Sequence, residues 1–303
     1  MDNTQAQQIV DMLAKGLAYP QRTPIQRKPD ALGLAFEEVS FEATDGVELR
    51  GWFIPAASKR LVICNHFGPA NRQGYPGDLD GYPASNGVHV DFLPKYKALH
   101  DGGYNVLCYD LRLHGESAAG EQGFSGVGLL EWQDVLGSLA YAKSRPDTAD
   151  MEVHLHSMCL GCNSTLVAMR EQPEAFEHVR SFMAIHPVIG GSLIDLTCKL
   201  MGVEDGAAKF EPVFHGLTGF HVEQYDMVPY AKDVRVPTMV VQVHDDPSTK
   251  PSDIEALFEG LPNTDKELFW IEGTPVRHHG YTYFSEHPER MLAWYDAHSS
   301  VSA

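Results

Sequence analysis

Short runs rich in β-branched and aromatic residues recur along the chain at 61–64, 105–109, 152–156, 181–185, 238–243 and 266–271. Helical periodicity fills the spaces between them, most clearly over 130–143 and 163–171. A parallel strand is reached only through a long crossover, and a helical crossover covers a face of the sheet. The alternation therefore predicts an α/β fold, a mostly parallel central sheet with helices on both faces. Sheets of this kind carry their sites where loops leave the carboxyl ends of the strands. Ahead of these runs, 36–43 and 47–54 flank Thr44-Asp45-Gly46 and read as an antiparallel hairpin, because Asp-Gly supplies the positive φ of a tight turn.

Further upstream, Ile9, Val10, Leu13 and Leu17 lie at helical spacing behind a Thr4/Gln7 capping box, a peripheral helix followed by a proline-punctuated linker. Two segments break the alternation. One is 67–91, rich in Gly, Pro, Asn, Asp and Tyr. The other is about 188–233, where Leu193, Ile194, Leu196 and Leu200 predict a small helical cap. The expected division is an N-terminal helix and linker arm at 1–34, a core at 35–187 and 234–303, and an inserted helical cap at 188–233.

Of 303 residues, 43% are apolar, and 23 Lys and Arg face 41 Asp and Glu, a net charge of −18. This is a globular composition. Its acidity opposes binding to phosphate backbones and anionic membrane, so neither nucleic acid nor membrane is an expected partner. Apolar runs are strand-sized rather than about 20 residues long. The N-terminus lacks the basic start and apolar run of a secretory signal, and the expected location is cytoplasmic. Five cysteines without a regular framework read as reduced thiols. The oligomeric state stays open.

The segment His154-Leu155-His156-Ser157-Met158-Cys159-Leu160-Gly161-Cys162-Asn163 runs from a strand through a tight turn into a helix. Ser157 and Gly161 flank Cys159 at minus two and plus two, where a nucleophile elbow needs small residues so that strand and helix can approach. The frame is S-x-C-x-G in place of G-x-S-x-G. A helix starting just after Cys159 aims its positive end at the turn, and the Leu160 amide is placed to donate to an oxyanion.

In these residues the chain resembles the α/β-hydrolase superfamily, from about Phe36 onward. Leu61-Val62-Ile63-Cys64-Asn65-His66-Phe67-Gly68 is similar to the strand leading into the family's oxyanion turn, with Asn65-His66 where His-Gly is common. That similarity implies the Phe67 amide as second oxyanion donor. Asp110-Leu111-Arg112-Leu113-His114-Gly115-Glu116-Ser117 is similar to the structural D-x-R-G-x-G-x-S turn. Val236-Pro237 before a strand and then His244-Asp245-Asp246-Pro247 resembles the loop carrying the acid. Ile271-Glu272-Gly273 followed by His278-His279-Gly280 resembles the loop carrying the histidine.

The order nucleophile, acid, histidine is the family's order. It implies a Cys159, Asp246, His279 triad, with Asp245 and His278 as alternatives. Asp-Pro favours Asp246, and the following Gly280-Tyr281 favours His279. A cysteine nucleophile is similar to dienelactone hydrolases and some thioesterases.

A thiolate that adds to a carbonyl must be retained while the other group leaves, and simple alkoxides leave poorly by comparison. The expected substrates are therefore activated acyl compounds: enol lactones, thioesters or aryl esters. Acyl transfer with the same nucleophile and a non-catalytic binding role on the same fold are the alternatives. No cofactor or metal is called for. Cys159-x-x-Cys162 also has redox spacing, and His154 and His156 beside it raise zinc, although satisfied core histidines explain them better.

Gly123-x-x-Gly126-x-Gly128 follows no strand and reads as a loop. Tyr75, Tyr82, Arg72 and Phe220 are expected at the mouth of the site. An acidic exterior favours small lactones or neutral esters over polyanionic carriers unless Arg72, Lys95, Lys97 or Arg277 forms a basic patch.

Overall fold

The structure is a computed structural model that describes residues 2–82 and 87–300. Residues 1, 83–86 and 301–303 lie outside it. The first residue of the 1–34 arm, part of the 67–91 segment and the end of the 234–303 segment are thus outside the described residues.

In chain order the elements are α1 (Asn3–Ala18), β1 (Glu37–Glu42), β2 (Glu48–Ile54), β3 (Arg60–Asn65), β4 (Gly74–Pro76), β5 (His89–Asp91), α2 (Leu93–Asp101), β6 (Asn105–Tyr109), α3 (Trp132–Ser144), β7 (Glu152–Met158), α4 (Leu160–Glu171) and β8 (Val179–Ile185). There follow α5 (Gly190–Leu200), α6 (Gly206–Thr218), β9 (Thr238–Val243), α7 (Pro251–Gly260), β10 (Lys266–Ile271), α8 (Arg277–Glu286) and α9 (Glu289–Ala297). Eight strands form one sheet in the order β1-β2-β6-β3-β7-β8-β9-β10. The β1–β2 and β2–β6 pairs are antiparallel and all pairs from β6 to β10 are parallel. The expected sheet is the one that forms.

Side chains alternate between the two faces of a strand. Leu61 and Ile63 of β3 accordingly join a core with α3, α4 and α7, while Val62 and Cys64 join one with α2, α8 and α9. Strands β3, β6, β7 and β9 are buried along their whole length; β3, β6 and β9 accordingly read as near-continuous apolar runs, while β7 carries His154, His156 and Ser157 into the interior.

Three expectations are corrected. First, α1 begins two residues early. Asp2 caps it through the Gln5 amide at 2.8 Å, with the Gln5 side chain returning to the Asp2 amide, so the capping box is Asp2/Gln5 rather than Thr4/Gln7.

Second, α1 is no peripheral helix: Val10, Ala14 and Ala18 are fully buried in a third core with Ile194, Cys198, Phe210 and Phe214 of α5 and α6.

Third, residues 67–77 of the 67–91 segment fold inward. Arg72 is buried, paired with Asp110 and Glu116, because a carboxylate as buried as Asp110 requires a guanidinium. Tyr75 is buried, Tyr82 packs edge-on against it, and Phe220 packs against Phe124 and Tyr225. Lys95 is fully buried over the Phe92 ring, and Lys97 pairs with Asp101. Neither the expected mouth nor the basic patch is assembled from these residues.

Among the described residues, no helix is long and apolar enough to cross a membrane.

Candidate active site

The carboxyl end of β7 runs directly into the turn at Cys159. Its backbone sits at φ 48° and ψ −108°, a region costly for any residue with a side chain, and α4 starts at the next residue. The turn is tied on both sides: the Cys159 amide donates to Ile185 O at 2.8 Å, and the Gly161 amide donates to His66 O at 3.1 Å. A Cβ on Gly161 would lie 2.6 Å from Asn65 O, so β3 and α4 can approach only with glycine there. Asn65 Nδ2 donates to Ser157 Oγ at 2.8 Å, and Ser157 Oγ meets Thr165 Oγ1 at 2.9 Å. The elbow residues Ser157 and Gly161 thus do what their size requires.

His66 holds the neighbouring loop. Its Nδ1 faces Phe67 O at 2.8 Å and so carries the proton, leaving Nε2 to accept the Leu111 amide at 2.9 Å. Burial pushes this imidazole well below its ordinary range, keeping it neutral. Asn65-His66 therefore fixes the loop. The amides of Phe67 and Leu160 donate to no other described residue, which leaves both available to an oxyanion.

Cys159 is half-buried and opens onto a cavity of about 110 Å³. The lining is almost wholly apolar and includes Leu17, Val127, Leu160, Ile194, Phe210 and Phe214, so α1, α5 and α6 build its walls. Cys162, the partner of the redox spacing, is fully buried and its thiol is pushed well above its ordinary range by desolvation. His154 is satisfied by Ser181 and Ser299, whereas His156 meets the Tyr295 hydroxyl through Nδ1 at 3.0 Å and its buried Nε2 has no partner among the described residues.

The acid and histidine loops are arranged differently from the order of the motifs. Asp246 is buried at the end of β9. Its Oδ2 accepts Arg277 Nη1 at 2.6 Å, Thr249 Oγ1 at 2.9 Å and Gln242 Nε2 at 3.1 Å, and its Oδ1 accepts the Ser248 amide at 3.0 Å. Neither His278 nor His279 hydrogen-bonds to it. Asp245 is exposed and faces His244.

Arg277, His278 and His279 are consecutive in the first turn of α8, so their side chains fan out about 100° apart and only one can face Asp246. Arg277 does. Tyr281, four residues on and on the same helix face, receives Arg277 Nε at 3.0 Å on its hydroxyl oxygen. Tyr281 lies next to both Cys159 and Arg277: burial and Cys159 push its phenol well above the ordinary range, while Arg277 opposes them. His278 packs edge-on against Phe67 and Tyr281, with ring centres 5.8 and 5.5 Å apart. Burial, then Arg277, lowers its imidazole to about 4. His279 is exposed, with Nδ1 at 2.7 Å from Thr274 Oγ1.

His186 follows β8 at φ 51° and is fully buried with Nδ1 3.9 Å from Asp246. A Cβ on Gly280 would strike its ring. By sequence Arg277 was only one candidate for a basic patch and Tyr281 only the context of His279, and His186 was not singled out at all. The i, i+4 spacing of Arg277 and Tyr281 was the available signal.

No protein-family model matches the chain. The protein YfhR of Salmonella typhimurium is 30% identical over 136 residues, a match spanning 44% of this chain and 40% of YfhR. Among solved structures, an esterase of Pyrococcus furiosus superposes with a TM-score of 0.69 at 20% identity over 93% of this chain and 96% of its own. A dienelactone hydrolase of Anabaena variabilis superposes with a TM-score of 0.55 at 18% identity over 88% of this chain and 98% of its own. With the sheet order above, these likenesses establish the α/β-hydrolase fold.

Proposed function

We propose that the chain hydrolyses activated acyl compounds, enol lactones, thioesters or aryl esters, through a covalent intermediate on Cys159. The observation that carries this reading is the placement of the thiol: on a strained elbow, at the wall of an apolar cavity and next to Tyr281 of the Arg277–Tyr281 pair, with the amides of the following residue Leu160 and of Phe67 in the adjoining loop left undonated. The esterase and dienelactone hydrolase likenesses point the same way.

In this reading the Cys159 thiolate attacks the acyl carbon and the carbonyl oxygen takes its charge between the Leu160 and Phe67 amides. The bond to the leaving group breaks, and the acyl group stays on sulfur. Water then attacks the thioester, a base takes its proton, and the sulfur departs. Arg277 holds the place beside Asp246 that the family motif gives to histidine. A guanidinium is always charged, so it stabilises the negative sulfur and never acts as base. Tyr281 accepts from Arg277 Nε, which leaves its hydroxyl proton for Cys159.

The base is then an imidazole. Of the sequence candidates, His278 is favoured over His279, because it is neutral and packed beside Phe67 and Tyr281 while His279 faces solvent. Asp246 acts by anchoring Arg277.

Steady-state rates on thioesters, enol lactones and simple alkyl esters test the substrate class: the activated compounds should dominate, and equal turnover of alkyl esters ends the reading. His278→Asn should acylate and then stall as acyl-enzyme, with His279→Asn little changed. The reverse pattern assigns the base to His279.

A further inference from the structure

Among the described residues, the apolar cavity is lined by a buried imidazole nitrogen with nothing to accept. His114 Nδ1 lies 2.8 Å from the Arg112 carbonyl oxygen, which only accepts, so Nδ1 carries the proton and Nε2 presents a lone pair. Burial lowers the imidazole pKa, keeping the ring neutral. His114 is 1% exposed, and Nε2 has no hydrogen-bond partner among the described residues. It lines the cavity together with Cys159, Leu160 and Gly68, and the Gly68 Cβ position lies 3.6 Å from Nε2, which puts the lone pair beside the oxyanion loop.

Tyr225, on the same lining, has a hydroxyl that is likewise buried and unpartnered. Buried polar atoms in native proteins are nearly always paired, and an orphan facing a ligand cavity is paired by the ligand.

We infer that the cavity takes an acyl group with an apolar body and one hydrogen-bond donor, a hydroxyl or an amide N–H, which His114 Nε2 recognises. The inference rests on the hydrolase reading for the word acyl, but recognition itself needs no turnover. His114 is a specificity-determining residue: its Nε2 is already out of water and unpaired, so a ligand that brings the donor satisfies it and one that lacks the donor does not, a difference of roughly tenfold to hundredfold in affinity.

The test uses the non-acylating Cys159→Ala protein and two matched probes, S-ethyl 3-hydroxybutanethioate and S-ethyl butanethioate, with binding measured by calorimetry. The hydroxylated probe should bind roughly tenfold to hundredfold more tightly. His114→Asn in the same background keeps a donor for Arg112 O but has no atom at the Nε2 position, and it should bind both probes alike. His114→Gln, which reaches the Nε2 position, should restore part of the preference. Tyr225→Phe keeps the cavity shape and reports whether the phenol shares the hydroxyl.

Equal binding of the two probes to Cys159→Ala overturns the inference, as does a preference that survives His114→Asn. Failure of the wild-type protein to be acylated by either probe while the binding preference persists would instead count against the hydrolase reading.

Discussion

Replacing Cys159 by glycine and by alanine separates the backbone strain of the elbow from its chemistry. Both variants lack the thiol. At φ 48° and ψ −108° a residue with a Cβ carries about 1–3 kcal/mol of strain, which alanine retains and glycine releases. Against this, the freer unfolded chain of the glycine variant costs about 0.4–1 kcal/mol. Cys159→Gly should therefore be more stable than Cys159→Ala by about 1 kcal/mol. For a chain of this size that is a rise in Tm of about 2 °C.

Glycine is also the better N-cap, so the same pair at Ile189, the N-cap of α5 at an ordinary φ of −102°, supplies the control. Thermal and urea unfolding of the four variants give the comparison. A glycine variant at 159 that is less stable than alanine, or ahead only by the margin seen at 189, would show that the elbow stores no strain, and the reasoning would fail.

Other outcomes follow from the same geometry. Gly161→Ala must push the end of β3 away, displacing the Phe67 amide; kcat should fall by about 10²–10³, with a modest loss of stability, and an unchanged kcat would remove Phe67 from the oxyanion site. Arg72→Met leaves Asp110 buried without its cation and should destabilise by about 3–5 kcal/mol in urea titrations, where a surface residue would show almost nothing.

His154, driven by burial to about 3, and His278, driven to about 4, stay neutral in the fold while their unfolded counterparts protonate near 6.5. Between these values the unfolded chain binds more protons. The stability they contribute is thus present above about pH 6.5 and is lost as pH falls toward 4 and 3. His154→Gln should show a flatter decline over that window, and an identical decline would argue that His154 is protonated in the fold.

Most of the sheet was legible because β3, β6 and β9 are buried on both faces and read as near-continuous apolar runs. β6, β9 and β10 begin and end at the residues that β-propensity marks. The elbow was legible too, since Ser157 and Gly161 are dictated by the close approach of β3, β7 and α4. Lost from view were features that depend on direction rather than type. Arg277, His278 and His279 differ in sequence by single steps but diverge by about 100° each on α8, so motif order alone could not decide which meets Asp246. Arg72 misled for a related reason: its partner Asp110 is 38 residues away and buried, and nothing local marks the pair. The wall that α1 gives the cavity was likewise hidden, because a short amphipathic helix does not name what it packs against.

The central claim is that Cys159 carries the acyl group. Rapid mixing of the protein with an activated thioester, quenching in acid, and intact-mass measurement followed by peptide mapping tests it directly. A single acyl adduct on the peptide containing Cys159 should form and then decay in the wild type, accumulate in His278→Asn, and be absent in Cys159→Ala together with turnover. Full turnover by Cys159→Ala, or an adduct on any other residue, would contradict it.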